Sequence, residues 1–130
     1  MQTYYAQGPR SDWQGAYISA YASSHPLEDW AETFAHYLHI IDATDTAAAH
    51  HLVPDDRAAR LASEQVVTLD FETILEAWRP INTAVNAIAE TLGAPIIYPY
   101  QPAGIVIDKL AFVHRQVAAH TERDSFYAVD

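Results

Sequence analysis

The chain has 130 residues, half of them apolar and 12% aromatic, with 17 acidic against 7 basic side chains and a formal charge of −10. Such a length and apolar content suit a single folded domain over residues 1–130 and exclude a disordered chain, while the acidic balance excludes nucleic acid and anionic membranes as main partners, which are bound by clustered cations. No cysteine is present, so disulfides, thiolate metal sites and thiol catalysis are excluded and the redox compartment is left open.

Residues 1–24 carry Gln, Gly, Pro, Ser and several aromatics without periodicity, and read as an arm that packs on something. Tyr17, Ile18 and Tyr21 can form one helical turn within it. Any apolar surface it leaves exposed would promote self-association. A helix is predicted from His25, because Pro26 sits where a missing N–H costs nothing and Glu28 and Asp29 favour the positive end of the helix dipole. It is expected to run into the low 40s and to restart through Thr44–His51, with Pro54 as the stop.

At about 100° per residue, Leu27, Trp30, Phe34, Tyr37, Leu38 and Ile41 share one face, predicted to be core, and Glu28, Glu32, His36 and His39 gather on the adjoining stripe. Residues 54–69 read as a surface connection with one turn of helix. Asp70 caps a second helix over 70–93, in which Phe71, Ile74, Leu75, Trp78, Ile81, Val85, Ile88 and Leu92 recur every three or four residues. Pro80 predicts a kink or a two-part helix, and Gly93 followed by Pro95 supplies the stop. Pro95–Pro102 reads as an ordered proline-rich loop.

A third helix over 103–120 places Val106, Leu110, Val113 and Val117 on one face, widened by Ile105, Ile107 and Phe112, and the tail beyond His120 is expected to fray. No segment alternates with period two. The expected fold is therefore all-α, an irregular bundle of about three principal helices with Trp30, Phe34, Leu38, Leu75, Trp78, Val85, Leu110 and Val113 as core.

The chemistry concentrates on the acidic and imidazole stripe. Glu28 and Glu32 lie one turn apart and can point the same way; in an arbitrary helix such a pair is most often a solvated face. Glu32, His36 and His39 could in principle form a metal site of their own, although histidines bonded to a carbonyl or a carboxylate are commoner. Serine catalysis lacks a Gly-x-Ser-x-Gly elbow, no glycine-rich phosphate loop occurs, and the Glu-x-x-His pairs of a di-iron bundle are missing.

Glu28–Tyr37, preceded by Ser19–Pro26 and followed by Leu38–Ala47, resembles a bacterial zinc-binding metallopeptidase family of gluzincin type. The resemblance continues through Trp78–Asn86, Gly93, Tyr98–Tyr100 and Lys109–His114, so it covers almost the whole chain. It implies that Glu28 is the third zinc ligand and that Glu32, four positions on, orients a ligand histidine. Tyr21, seven residues before Glu28, matches a tyrosine that stabilises the oxyanion in some gluzincins, with His25 a second candidate for that role and packing the plainer alternative for both. His114 belongs to the shared pattern without an assigned role.

The His-Glu-x-x-His motif that such enzymes carry on an upstream helix is absent from this chain. The resemblance therefore implies the C-terminal part of such an enzyme, acting on a peptide or protein substrate when complete, and a truncated chain that is inactive alone. Zinc is expected in the complete protein but not held tightly by this part. The alternative is a non-enzymatic helical interaction module derived from the family. No run of about 18 apolar residues and no basic start before an apolar stretch occurs, so a cytoplasmic chain is expected.

Overall fold

The computed structural model describes residues 2–53, 66–96 and 101–127, with side chains from 4 to 121 inside those ranges. Its described residues are helical, without a strand: α1 (Gln2–Gln7), α2 (Pro26–Ala49), α3 (Phe71–Thr91) and α4 (Gly104–Tyr127), with 3₁₀ turns at Trp13–Gly15, Tyr21–Ser24 and Val66–Thr68. The all-α class and the three principal helices stand as expected. Two compact units divide the chain, residues 1–38 with 102–130 and residues 39–101. The predicted connection falls largely on 54–65 and the proline-rich loop on 97–100, outside the described residues.

α2 begins where its helix signals place it, and His25 is its cap: the residue is extended and its Nδ1 accepts the Leu27 N–H at 3.1 Å. A ring nitrogen occupied in this way satisfies one of the four orphan donors of the first turn. The helix then runs unbroken to Ala49 instead of stopping in the low 40s, because Thr44, Ala47 and Ala48 are buried and hold its second half.

The buried face of α2 corrects the prediction. Thr33, Tyr37 and Ile40 are buried together with Thr44, Ala47 and Ala48, whereas Leu27 is 71%, Trp30 48% and Leu38 40% exposed. The face centres roughly 100° away from the large apolar stripe at 100° per residue. Small side chains allow close approach of neighbouring backbones, and Tyr37, which must satisfy its hydroxyl, does so inside the first unit against His114, at 3.1 Å from Oη to Nδ1. Of the predicted face Tyr37 is buried and Phe34 and Ile41 are half-buried, while Leu27, Trp30 and Leu38 are left in water.

In the first unit α4 contributes Val106, Leu110 and Val113, all essentially fully buried as predicted, while Ile105 and Phe112 are exposed. The helix continues to Tyr127, past the point where fraying was expected. In the second unit α3 buries Phe71, Ile74, Leu75, Ala77, Trp78 and Ile81, but Val85, Ile88 and Leu92 are exposed, so its last turns are held by Ala89 and little else. α3 passes through Pro80 as one helix. Pro80 itself is exposed. Next to it the buried Asn82 accepts the Asn86 amide through Oδ1 at 3.2 Å.

Both ends of α3 match their sequence signals. Gly93 takes φ +71° and the Ala94 N–H reaches back to the Ala89 carbonyl at 2.8 Å, a left-handed stop that glycine adopts without strain. Asp70 Oδ1 accepts the Thr73 N–H at 2.9 Å and its Oδ2 accepts the Thr73 hydroxyl at 2.7 Å. Asp70→Ala is therefore expected to cost about 1 kcal/mol, read as a lowered midpoint with unchanged slope in urea melts.

Candidate metal-ligand site

The first unit gathers the predicted residues around the start of α2. Glu28 lies in its first turn, half-buried, and Tyr21 stands in the 3₁₀ turn seven residues earlier, close enough for the Glu28 charge to act on its phenol. Desolvation first, and then the neighbouring Glu28, push the Tyr21 phenol up to about 12, with Tyr5 adding to the shift. Tyr4 packs its ring edge-on against Tyr21 at 6.0 Å, so α1 of the arm buttresses this tyrosine.

Glu32 lies one turn on and is fixed by Ser19, whose hydroxyl donates to Oε2 at 2.8 Å while accepting the Ala22 N–H at 3.0 Å. Sequence reasoning missed Ser19, because a serine thirteen residues away carries no local pattern. It missed Lys109 for the same reason: its Nζ donates to Asp29 Oδ2 and to the Ala16 carbonyl, both at 2.7 Å, and lies 4.5 Å from the Tyr17 ring centroid. One ammonium thus ties the arm, the first turn of α2 and α4 together. Lysine and histidine on the otherwise apolar face of α4 were the only hints that α4 makes polar contacts.

The remaining histidines do not join this site. The His36 ring donates from Nδ1 to the Glu32 carbonyl oxygen at 2.9 Å, His39 is exposed, and His25 is spent as a cap. Among the described residues no group of three His, Asp or Glu side chains is placed to hold a metal ion. Zinc takes four tetrahedral ligands, three of them from protein in a catalytic site, so the donor set among the described residues does not fit the ion by itself.

The family model described as "Putative zinc-binding metallo-peptidase" matches residues 1–116. The chain belongs to this family. Uncharacterized proteins of Mycobacterium bovis and of Mycobacterium tuberculosis are 38% identical to it over 117 residues, which is 90% of this chain and 34% of each relative. The chain thus spans about a third of the length of the curated relatives it matches. No solved structure gives a significant match. No helix among the described residues is long and apolar enough to cross a membrane.

Two phenols make this unit sensitive to alkali. Tyr37, like Tyr21, is pushed up to about 12, in its case by burial. A phenol whose folded value lies above the ordinary value of about 10 favours the folded state while neutral. That contribution is complete below pH ~10 and is lost as pH rises towards 12. Thermal melts between about pH 9 and pH 12 should show the loss, and Tyr37→Phe should make it shallower.

Proposed function

We propose that this chain is the part of a zinc metallopeptidase that supplies the third zinc ligand, Glu28, and part of the substrate cleft. The observation that carries the reading is the family match over residues 1–116, with Tyr21 near Glu28 at the first turn of α2 and Glu32 held by Ser19 one turn further on. Zinc, when bound, acts as a Lewis acid on the peptide carbonyl and lowers the pKa of water.

The chain's own residues have narrower roles. Glu28 would offer a carboxylate oxygen to the metal, and Tyr21, kept neutral far above physiological pH, is available to donate to an oxygen on which charge develops. Glu32, aimed by Ser19, orients a ligand histidine that this chain does not contain. The two histidines and the general-base glutamate lie outside these 130 residues, so the chain alone is inactive on peptides. The exposed Leu27–Trp30–Leu38 stripe favours a second reading, an interaction module built on the same core.

The test is a chimera in which this chain replaces the matched region of the Mycobacterium tuberculosis relative. The chimera should hold one zinc and cleave peptides; Glu28→Gln should abolish both, and Glu32→Gln should weaken zinc by roughly 10- to 100-fold. A folded chimera that keeps its zinc after Glu28→Gln would remove Glu28 from the ligand set.

A further inference from the structure

Three elements of the first unit meet at one side chain. Lys109 of α4 donates from Nζ to the Ala16 carbonyl of the arm and to Asp29 Oδ2 in the first turn of α2, both at 2.7 Å, and stands 4.5 Å from the centroid of the Tyr17 ring. An ammonium has three donors and a compact charge, so two oxygens and an aromatic face together occupy it. Its base is rigid as well. Lys109 leaves α4 between Val106 and Leu110, both fully buried, with Val113 one turn further on, so the core of the unit fixes its backbone.

The arm needs such a contact to take a definite position. Ile18 and Ala22 are buried and hold it down, but apolar burial has no direction, whereas hydrogen bonds do. Two of them set where the arm lies along α2: Ala16 is tied to Asp29 through Lys109, and Ser19 is tied directly to Glu32, one turn on, at 2.8 Å. Tyr21 follows Ala16 by five residues and Ser19 by two, and Glu28 directly precedes Asp29. The Lys109–Asp29 pair has side-chain exposures of 33% and 21%, a range in which attraction and desolvation nearly cancel, so it contributes little net stability.

We propose that Lys109 is a positioning residue for peptide hydrolysis, holding the arm turn that carries Tyr21 in place against the first turn of α2 that carries Glu28. It acts through Tyr21 and touches neither metal nor substrate. The role rests on the reading of Glu28 as zinc ligand and of Tyr21 as donor to the developing oxyanion; the contacts of Lys109 do not. A small displacement of the arm is enough to matter, since misplacing a group by about 1 Å can cost roughly 100-fold in rate.

Hydrogen exchange of the 130-residue chain tests the contact, and kinetics of the Mycobacterium tuberculosis chimera test the role. Lys109→Met removes both hydrogen bonds and keeps most of the stem. The Ala22 amide, bonded to Ser19 Oγ at 3.0 Å, should then exchange at least roughly 10-fold faster, while the Leu110 and Leu75 amides keep their protection. In the chimera Lys109→Met should lower kcat by about 10- to 100-fold, with one zinc retained and KM little changed. Lys109→Arg, which keeps the charge and the donors, should restore most of the rate, and Asp29→Asn, a milder change should Lys109→Met unfold, should lower it by a smaller factor. Because the loss runs through Tyr21, Tyr21→Phe and the Tyr21→Phe/Lys109→Met double variant should share one kcat. Additive losses in the double variant, a Lys109→Met rate equal to the parent's, or zinc lost together with the rate would overturn the role, and unchanged Ala22 exchange would overturn the contact on which it depends. A parent chimera inactive on peptides would overturn the zinc reading and this role with it, whatever the exchange result.

Discussion

Trp78→Ala is expected to destabilise the fold by about 3 to 5 kcal/mol, the largest loss expected of a single side-chain truncation in the second unit. Trp78 is 5% exposed in the middle of the buried stretch of α3, with Phe71, Ile74, Leu75 and Ile81 also buried along the helix. Alanine forfeits the transfer free energy of the indole and leaves a void that close-packed neighbours fill only in part. The second half of α3 buries little, so the buried area of this helix is concentrated in its first half, around this residue. Urea unfolding followed by circular dichroism measures the loss. A change below about 1 kcal/mol would mean that the helix face around Trp78 is not the core of this unit.

Zinc titration of the isolated chain is expected to show no stoichiometric binding at micromolar free metal near neutral pH. Glu28 is the one ligand that the family resemblance places in this chain, and a tight site needs three from the protein. Loose association with Glu32, His36 and His39 is compatible with their chemistry. However, Glu32 is held by Ser19 and His36 by a backbone carbonyl, and long side chains on one helix rarely converge on a tetrahedron without a second element. Calorimetry on the chain, on Glu28→Ala and on His36→Ala decides the matter. One-to-one binding tighter than about 1 μM, worth roughly 8 kcal/mol, that is lost with His36→Ala and kept with Glu28→Ala would move the metal site away from Glu28. Together with the chimera this separates a chain that completes a zinc site from one that holds its own.

Zinc binding also bears on Tyr21. If Glu28 takes a cation in the complete protein, its charge is shared and the phenol loses part of what raises it, since Glu28 follows desolvation among the causes of that shift. Tyr21 in a zinc-loaded chimera should therefore ionise at lower pH than in the isolated chain. A tyrosinate absorbance titration of the two, each compared with its Tyr21→Phe variant, reads that difference.

Elements with local causes were legible in the order of residues. The Asp70 cap with Thr73, the Gly93 stop, the start of α2 at Pro26 and the buried run of Val106, Leu110 and Val113 all follow from neighbours within one or two turns. Membership of the family was legible too, because Trp, His and Pro recur in order over nearly the whole chain. The placement of Glu28 and Glu32 on one stripe followed from helical spacing alone.

Which face of α2 goes inside was settled by packing in three dimensions. Hydrophobicity favoured Leu27, Trp30, Tyr37 and Leu38, but of these only Tyr37, whose hydroxyl finds His114, is buried, and the rest of the buried face is Thr33, Ile40, Thr44, Ala47 and Ala48, mostly small side chains that let helices approach closely. Packing also settled what holds the candidate site. Ser19 reaches Glu32 across thirteen residues and Lys109 reaches Asp29 across eighty, and such hydrogen bonds exist only once the arm and α4 are folded against the start of α2. A single sequence records the residues that can make those bonds; their pairing is fixed by the path of the chain in space.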